Sequence, residues 1–150
     1  MKTNIAEYFE ESSASSPDRT AVISQSEDRS VTFGQLKDMT DAYACGFRRA
    51  GIAKGTKVLM MLRPGPDFIA AVFAVFKIGA VPVLIDPGMG LKNLLNCIRK
   101  TSPEAMIGVS KAHWLRLLFP FFFRTVKTSI VHGAYAPPWI TKLESLLKKN

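Results

Sequence analysis

The hydrophobic pattern of this chain alternates between helical periods and unbroken apolar runs of strand length. From Lys57 to Gly90 the order is an apolar run (Lys57 to Leu62), a break at Arg63-Pro64-Gly65-Pro66, an apolar helix from Asp67 to Ile78, Gly79 as a stop, a second apolar run (Val81 to Ile85) and the turn Asp86-Pro87-Gly88-Met89-Gly90. Parallel strands need a long crossover, usually a helix, and strands buried on both faces read as continuous apolar runs. The order therefore predicts a βαβ unit and an α/β fold, mostly a parallel sheet with helices on both faces.

The flanking segments extend this picture. Asn4 to about Ser13 reads as a short amphipathic helix with Ile5, Tyr8 and Phe9 on one face. Ala21 to Ser24 is a candidate strand, Ser26-Glu27-Asp28-Arg29 a reversal, and Val31 the centre of a second short strand. Thr32-x-x-Gln35 spells a capping box. The helix behind it places Leu36, Met39, Tyr43, Phe47 and Ala50 on one stripe, and Gly51 stands where a terminating glycine belongs.

The helix from Asp67 to Ile78 is apolar nearly all round, which predicts burial on most sides. Leu91 to Arg99 reads as an amphipathic helix with Leu91, Leu94, Leu95 and Ile98 inward. Glu104 to Val109 is a third inner strand, Ser110 a cap for a helix toward Leu118, and Val126 to Val131 a last strand. Ala134 to Pro138 is a linker, and Ile140 to Leu147 a helix ending in Lys148-Lys149. Residues 1–133 thus form the main unit, and 134–150 a linker with a short terminal helix.

Composition narrows the class. Hydrophobic residues make up 47% and charged residues 21%, enough apolar content to build a core. The polar, acidic start MKTNIAEYFEESSAS is no secretory signal, and no apolar run approaches the roughly 20 residues that span a bilayer. Cys45 and Cys97 stand far apart and read as reduced thiols, so the expected location is cytoplasmic. The net charge of +8 is uneven. Residues 1–91 hold ten Lys/Arg and ten Asp/Glu, whereas 92–150 hold ten Lys/Arg against Glu104 and Glu144 only. Such a surface favours anions, or is a solvated face that other segments cover. No nucleic-acid module is spelled.

Candidate chemistry is thin. The Asp86–Gly90 turn sits where a strand meets a helix, a place for phosphate. Position 93 is Asn, not the third glycine of a dinucleotide fingerprint, and G-x-x-x-x-G-K-S/T is absent. The turn reads as a tight connection, with Lys92 beside it solvated. His113 and His132 lack metal-site spacing. Asp38 and Asp41 lie off the apolar stripe and read as solvated. Arg63, in the loop after a parallel strand, is the best-placed single cation for a ligand at the strand ends. Leu115 to Phe123 (LRLLFPFFF) carries Arg116 within and Arg124 after it. Packing under other segments is the preferred reading, and dipping into a membrane surface the alternative.

Three stretches resemble the start of the AMP-forming acyl synthetases. They are Val31-Thr32-Phe33-x-Gln35-Leu36, Gly51-Ile52-x-x-Gly55-x-Lys57-Val58, and Phe76-Lys77-Ile78-Gly79-Ala80-Val81-Pro82. The stretch from Leu84 to Ile98, with Asp86-Pro87-Gly88 where most acyl-CoA synthetases have Asn-Pro, and Pro103 to Gly108 are similar to the branch that includes the olefin β-lactone synthetases. The resemblance covers about residues 4 to 133. It implies a partial N-terminal subdomain of an enzyme that spends ATP to adenylate a carboxylate, with magnesium. The acyl group then passes to coenzyme A or, in the lactone branch, is attacked by its own β-hydroxyl.

The family's phosphate loop, ribose carboxylate and mobile-domain lysine have no counterpart here, so no catalytic, cofactor-binding or metal residue is assigned. The expectation is a truncated, inert N-terminal segment that itself binds no cofactor. ATP and magnesium belong to the parent enzyme. Expected partners are a second polypeptide carrying the rest of the synthetase and a weak membrane-surface contact, with no nucleic acid. The alternative is a non-catalytic interaction module docking to a membrane surface or to the complementary half of a split synthetase.

Overall fold

The capping box forms as spelled. In the computed structural model, which describes residues 4–133, 135 and 139–147, the Thr32 hydroxyl accepts from the Gln35 amide at 3.3 Å and the Gln35 side chain accepts from the Thr32 amide at 2.9 Å. This opens helix α2 (Phe33–Arg49), which follows helix α1 (Ile5–Ser15) and an antiparallel hairpin of β1 (Thr20–Ser24) and β2 (Arg29–Thr32). The stripe Leu36, Met39, Tyr43 and Phe47 is buried, as its spacing requires, and Ala50 is half-buried. Gly51 lies beyond the helix end with φ of 86°, a left-handed conformation that costs a residue with a Cβ.

Five strands make one parallel sheet: β3 (Lys57–Met61), β4 (Val81–Leu84), β5 (Ala105–Val109), β6 (Thr128–His132) and β7 (Thr141–Lys142), in the order β4-β3-β5-β6-β7. Alternation along each strand divides the core between two faces. Val58, Met60, Ala105 and Ile107 meet α2 and α3 (Pro66–Lys77) on one side. Leu59 and Met106 meet α4 (Leu91–Thr101), α5 (Ser110–Leu118) and Phe123 on the other. The expected α/β architecture, a parallel sheet with helices on both faces, is present.

Several expectations about faces need correction. In α1 the buried positions are Ala6, Phe9 and Ser13, while Ile5 and Tyr8 are exposed. The Phe9 ring stacks on Phe73, with centroids 4.4 Å apart, so contact with α3 selects the inward face. In α3 itself Ala70, Ala71, Ala74 and Val75 are buried, whereas Phe68, Ile69, Val72, Phe73 and Phe76 are only half-buried. Small residues let α3 lie close to the sheet and to α2; the bulky ones reach sideways. In α4 Leu91 is exposed. Ser110 is the first helical residue of α5 rather than its cap, and its hydroxyl donates to the Tyr135 carbonyl at 2.5 Å.

The helix expected over Ile140 to Leu147 is instead strand β7 followed by a 3₁₀ turn, Leu143–Leu147. Pairing with β6 supplies backbone partners that the segment lacks alone. Of the linker expected over Ala134 to Pro138, only Tyr135 lies within the described residues, and Lys148-Lys149 lie outside them. Leu115 to Phe123 divides between end of helix and a 3₁₀ turn, Pro120–Phe123. Phe123 is buried and Phe119 and Phe122 pack on the core, but Leu117, Leu118 and Phe121 face outward, so packing holds for only part of it.

Candidate functional site

The chain crosses from β3 to β4 in one direction along the sheet and from β5 to β6 in the other. The topology therefore reverses between β3 and β5, the place where open parallel sheets hold ligands at the carboxyl ends of their strands. A cleft of about 420 Å³ lies there. Its walls are apolar, including Met61, Ile85, Leu94 and Leu115, and two cations, Arg63 and Lys111, line it. Both are exposed, and neither has an ion-pair partner among the described residues.

The loop after β3 delivers Arg63, and the first turn of α5, directly after β5, delivers Lys111. Gly108, next to the end of β5, permits this close approach. A Cβ there would stand 3.1 Å from the Ala112 Cβ and 3.2 Å from the Met61 Cβ. The best single cation expected from sequence is thus in place, with a second one that sequence reasoning passed over. The available signal was positional: each follows a buried parallel strand. Among the described residues, no Ser, His, Cys, Asp or Glu lines the cleft. Two cations beside apolar walls make a surface suited to an anionic group with an apolar body.

The Asp86–Gly90 turn carries its own anion. The Asp86 carboxylate accepts from the Gly88 amide at 2.8 Å, so an anionic side chain already takes the donor that a phosphate would need. Lys92 is exposed in the following turn. His113 is buried, with Nε2 3.1 Å from the Ile130 carbonyl. That contact makes Nε2 the donor of a neutral imidazole. His132 Nδ1 lies 3.0 Å from Glu144, whose same oxygen accepts from the Gly133 amide at 2.7 Å, clasping the end of β6 to the 3₁₀ turn beyond β7. Cys45 and Cys97 are free thiols, and neither histidine belongs to a metal-sized cluster among the described residues.

Burial holds the His113 imidazole below its ordinary 6.5, with the Ile130 hydrogen bond partly offsetting and Arg116 reinforcing the shift. The folded state therefore disfavours the imidazolium. The stability this residue contributes is complete above 6.5 and is lost as pH falls toward the folded value. Acidification from about 7.5 to about 5 should destabilise the chain more than a His113→Gln variant. Urea unfolding of both at each pH measures the difference. Parallel curves would refute the assignment.

Asp41 is no bystander, contrary to the expectation. It is 2.6 Å from both Lys37 and Lys77, and Lys77 also pairs with Glu10, joining α1, α2 and α3. Burial opposes its charge, but hydrogen bonds from Lys37 and Lys77 outweigh that and hold the carboxyl below its usual 3.8. Asp38 is exposed, as expected. Sequence reasoning also missed a buried carboxylate. Asp67 accepts from the Tyr43 hydroxyl at 2.5 Å and from Arg29 at 3.0 Å. Burial and the Asp67 hydrogen bond push the Tyr43 phenol far above its ordinary range, so it stays a donor.

No helix among the described residues is long and apolar enough to cross a membrane. The fold is shared with an anthranilate CoA ligase, AuaEII, solved in complex with anthranoyl-AMP. That structure superposes with a TM-score of 0.85 over 96% of this chain and 27% of the ligase, at 16% identity. An olefin β-lactone synthetase of Stenotrophomonas maltophilia is 43% identical over 91 residues, covering 61% of this chain. Another from Xanthomonas campestris is 36% identical over 108 residues, covering 72%. The chain spans only 16% and 19% of those two relatives. Residues 9–141 match the family described as AMP-binding enzyme, so this chain belongs to the AMP-binding, adenylate-forming enzymes, with the expected likeness to olefin β-lactone synthetases.

Proposed function

We propose that the chain is the N-terminal scaffold of an ATP-dependent ligase that activates a fatty acid or a β-hydroxy fatty acid. In that reaction a carboxylate oxygen attacks the α-phosphorus of ATP. The bond to the bridging oxygen breaks, and acyl-adenylate and pyrophosphate result. The observation that carries this reading is the family match over residues 9–141, joined to 36–43% identity with olefin β-lactone synthetases. The reading includes a cytoplasmic location, which the need for ATP supports.

The chain's own part is architectural. The parallel sheet sets the cleft between β3 and β5, and Arg63 and Lys111 give its mouth a positive potential suited to an anionic group. No described side chain lining the cleft activates a nucleophile or moves a proton. The Asp86 turn is occupied by its own carboxylate. Rate enhancement in phosphoryl and nucleotidyl transfer comes from donors and cations preorganised around the transferring group. On this reading residues 1–150 by themselves are inert, and the remaining length of such a synthetase supplies the groups that complete the site.

ATP–pyrophosphate exchange tests both parts. With fatty acid or 3-hydroxy fatty acid as substrate, the chain alone should show no exchange above background. Joined to or mixed with the remainder of such a synthetase, it should support carboxylate-dependent exchange. Exchange by the chain alone would overturn the architectural role. A completed enzyme active only with amino acids would overturn the substrate class.

A further inference from the structure

The outward side of α5 and the turn after it form a patch that the adenylating reading does not use. Trp114, Leu117 and Leu118 are spaced to share one side of α5, and Phe121 continues the apolar surface in the 3₁₀ turn. Each is more than half exposed. The opposite side of the same segment is anchored: Ala112, His113 and Phe123 are buried. Arg116 donates to the Ser129 hydroxyl and, at 3.0 Å, to the Val126 carbonyl. The exposed side chains are therefore held on a rigid base.

Cations frame the patch. Lys111 precedes it and Arg124 and Lys127 follow it, all exposed. The Arg124 guanidinium lies over the Phe121 ring at 5.4 Å from its centroid. Trp114, Leu117, Pro120, Arg124 and Lys127 line one open groove of about 980 Å³. Among the described residues Arg124 and Lys127 have no ion-pair partner. Between Glu104 and Glu144 the sequence has five Lys/Arg and no Asp or Glu. The patch is thus apolar at its centre, basic at its margins and without internal countercharge.

We propose that this face docks onto an acidic bilayer surface, with Trp114, Leu117, Leu118 and Phe121 entering the headgroup–acyl boundary and Lys111, Arg124 and Lys127 contacting anionic headgroups. A membrane interface presents both layers together. Trp and Phe are favoured at headgroup depth, and nearby Lys and Arg are drawn by acidic lipid. Of these residues only Lys111 also lines the cleft between β3 and β5, and the other six lie outside its lining.

The chain has two tryptophans, so a Trp139→Phe background leaves Trp114 as the sole reporter. Titration with mixed phosphatidylglycerol–phosphatidylcholine vesicles should shift its emission to the blue and bring the chain down with the vesicles. Added salt should reverse both. In a wild-type background, Trp114→Ser with Leu118→Ser should weaken cosedimentation about tenfold or more. Arg124→Glu with Lys127→Glu should abolish the preference for acidic vesicles. Far-UV circular dichroism checks that each variant keeps its fold. No vesicle binding, or equal salt-insensitive binding to pure phosphatidylcholine, overturns the proposal. So does self-association abolished by the Trp114 and Leu118 changes without vesicle binding, which would make the face a contact between copies.

Discussion

Asp67→Ala should lower the unfolding free energy by about 2–4 kcal/mol. Asp67 sits in the first turn of α3 and is only 8% exposed. It receives the Tyr43 hydroxyl of α2 on one oxygen and Arg29 of β2 on the other. Alanine leaves the buried phenol without an acceptor. The Arg29 side chain is 41% exposed, so water takes over much of its solvation, and the ion pair itself contributes the smaller share. Asp67→Asn keeps an acceptor for Tyr43 and should cost about 1–2 kcal/mol. Urea unfolding of the two variants measures both values. Equal losses would show that charge, not the phenolic hydrogen bond, matters most.

Phe47→Ala should cost more, about 3–5 kcal/mol, because removal of a buried ring loses its transfer free energy and leaves a cavity. Phe47 has no exposed surface and packs near Tyr43, with ring centroids 6.0 Å apart. Its cluster joins α2 to the sheet through Val58, Ile107 and Ile130. For a chain of this size each kcal/mol moves Tm by roughly 3 °C, so the melt should fall by roughly 10 °C. Phe121→Ala, on the outward face, is the control and should leave Tm nearly unchanged. A small effect at Phe47 would mean that α2 does not melt together with the sheet.

These two sites differ in how visible they are in sequence. Phe47 lies on a stripe of period three and four, so its burial is readable once the Thr32 capping box marks the start of the helix. Asp67 stands among apolar residues and gives no such sign. Its partners come from a strand and a helix far away in sequence, and only packing brings them together. The same distinction separates Arg63 from Lys111. A cation in the loop after a strand is a candidate by position alone. That the two share one cleft depends on β5 pairing beside β3 while their following strands leave in opposite directions.

Local spelling by itself determined the α/β class, the parallel βαβ unit, the capped helix at Thr32 and the stop at Gly51. Strand-length apolar runs, a helical period and special backbone angles are properties of neighbouring residues. The tertiary structure alone decided which side of each helix faces inward. Crowding against the sheet put the alanines of α3 inside and its phenylalanines at the margin, and contact with Phe73 chose Phe9 over Ile5 and Tyr8. It also made Thr141–Lys142 a strand, because a strand needs a partner to satisfy its backbone and β6 supplies one. Period is set along the chain, whereas burial and pairing are set by what lies across from it.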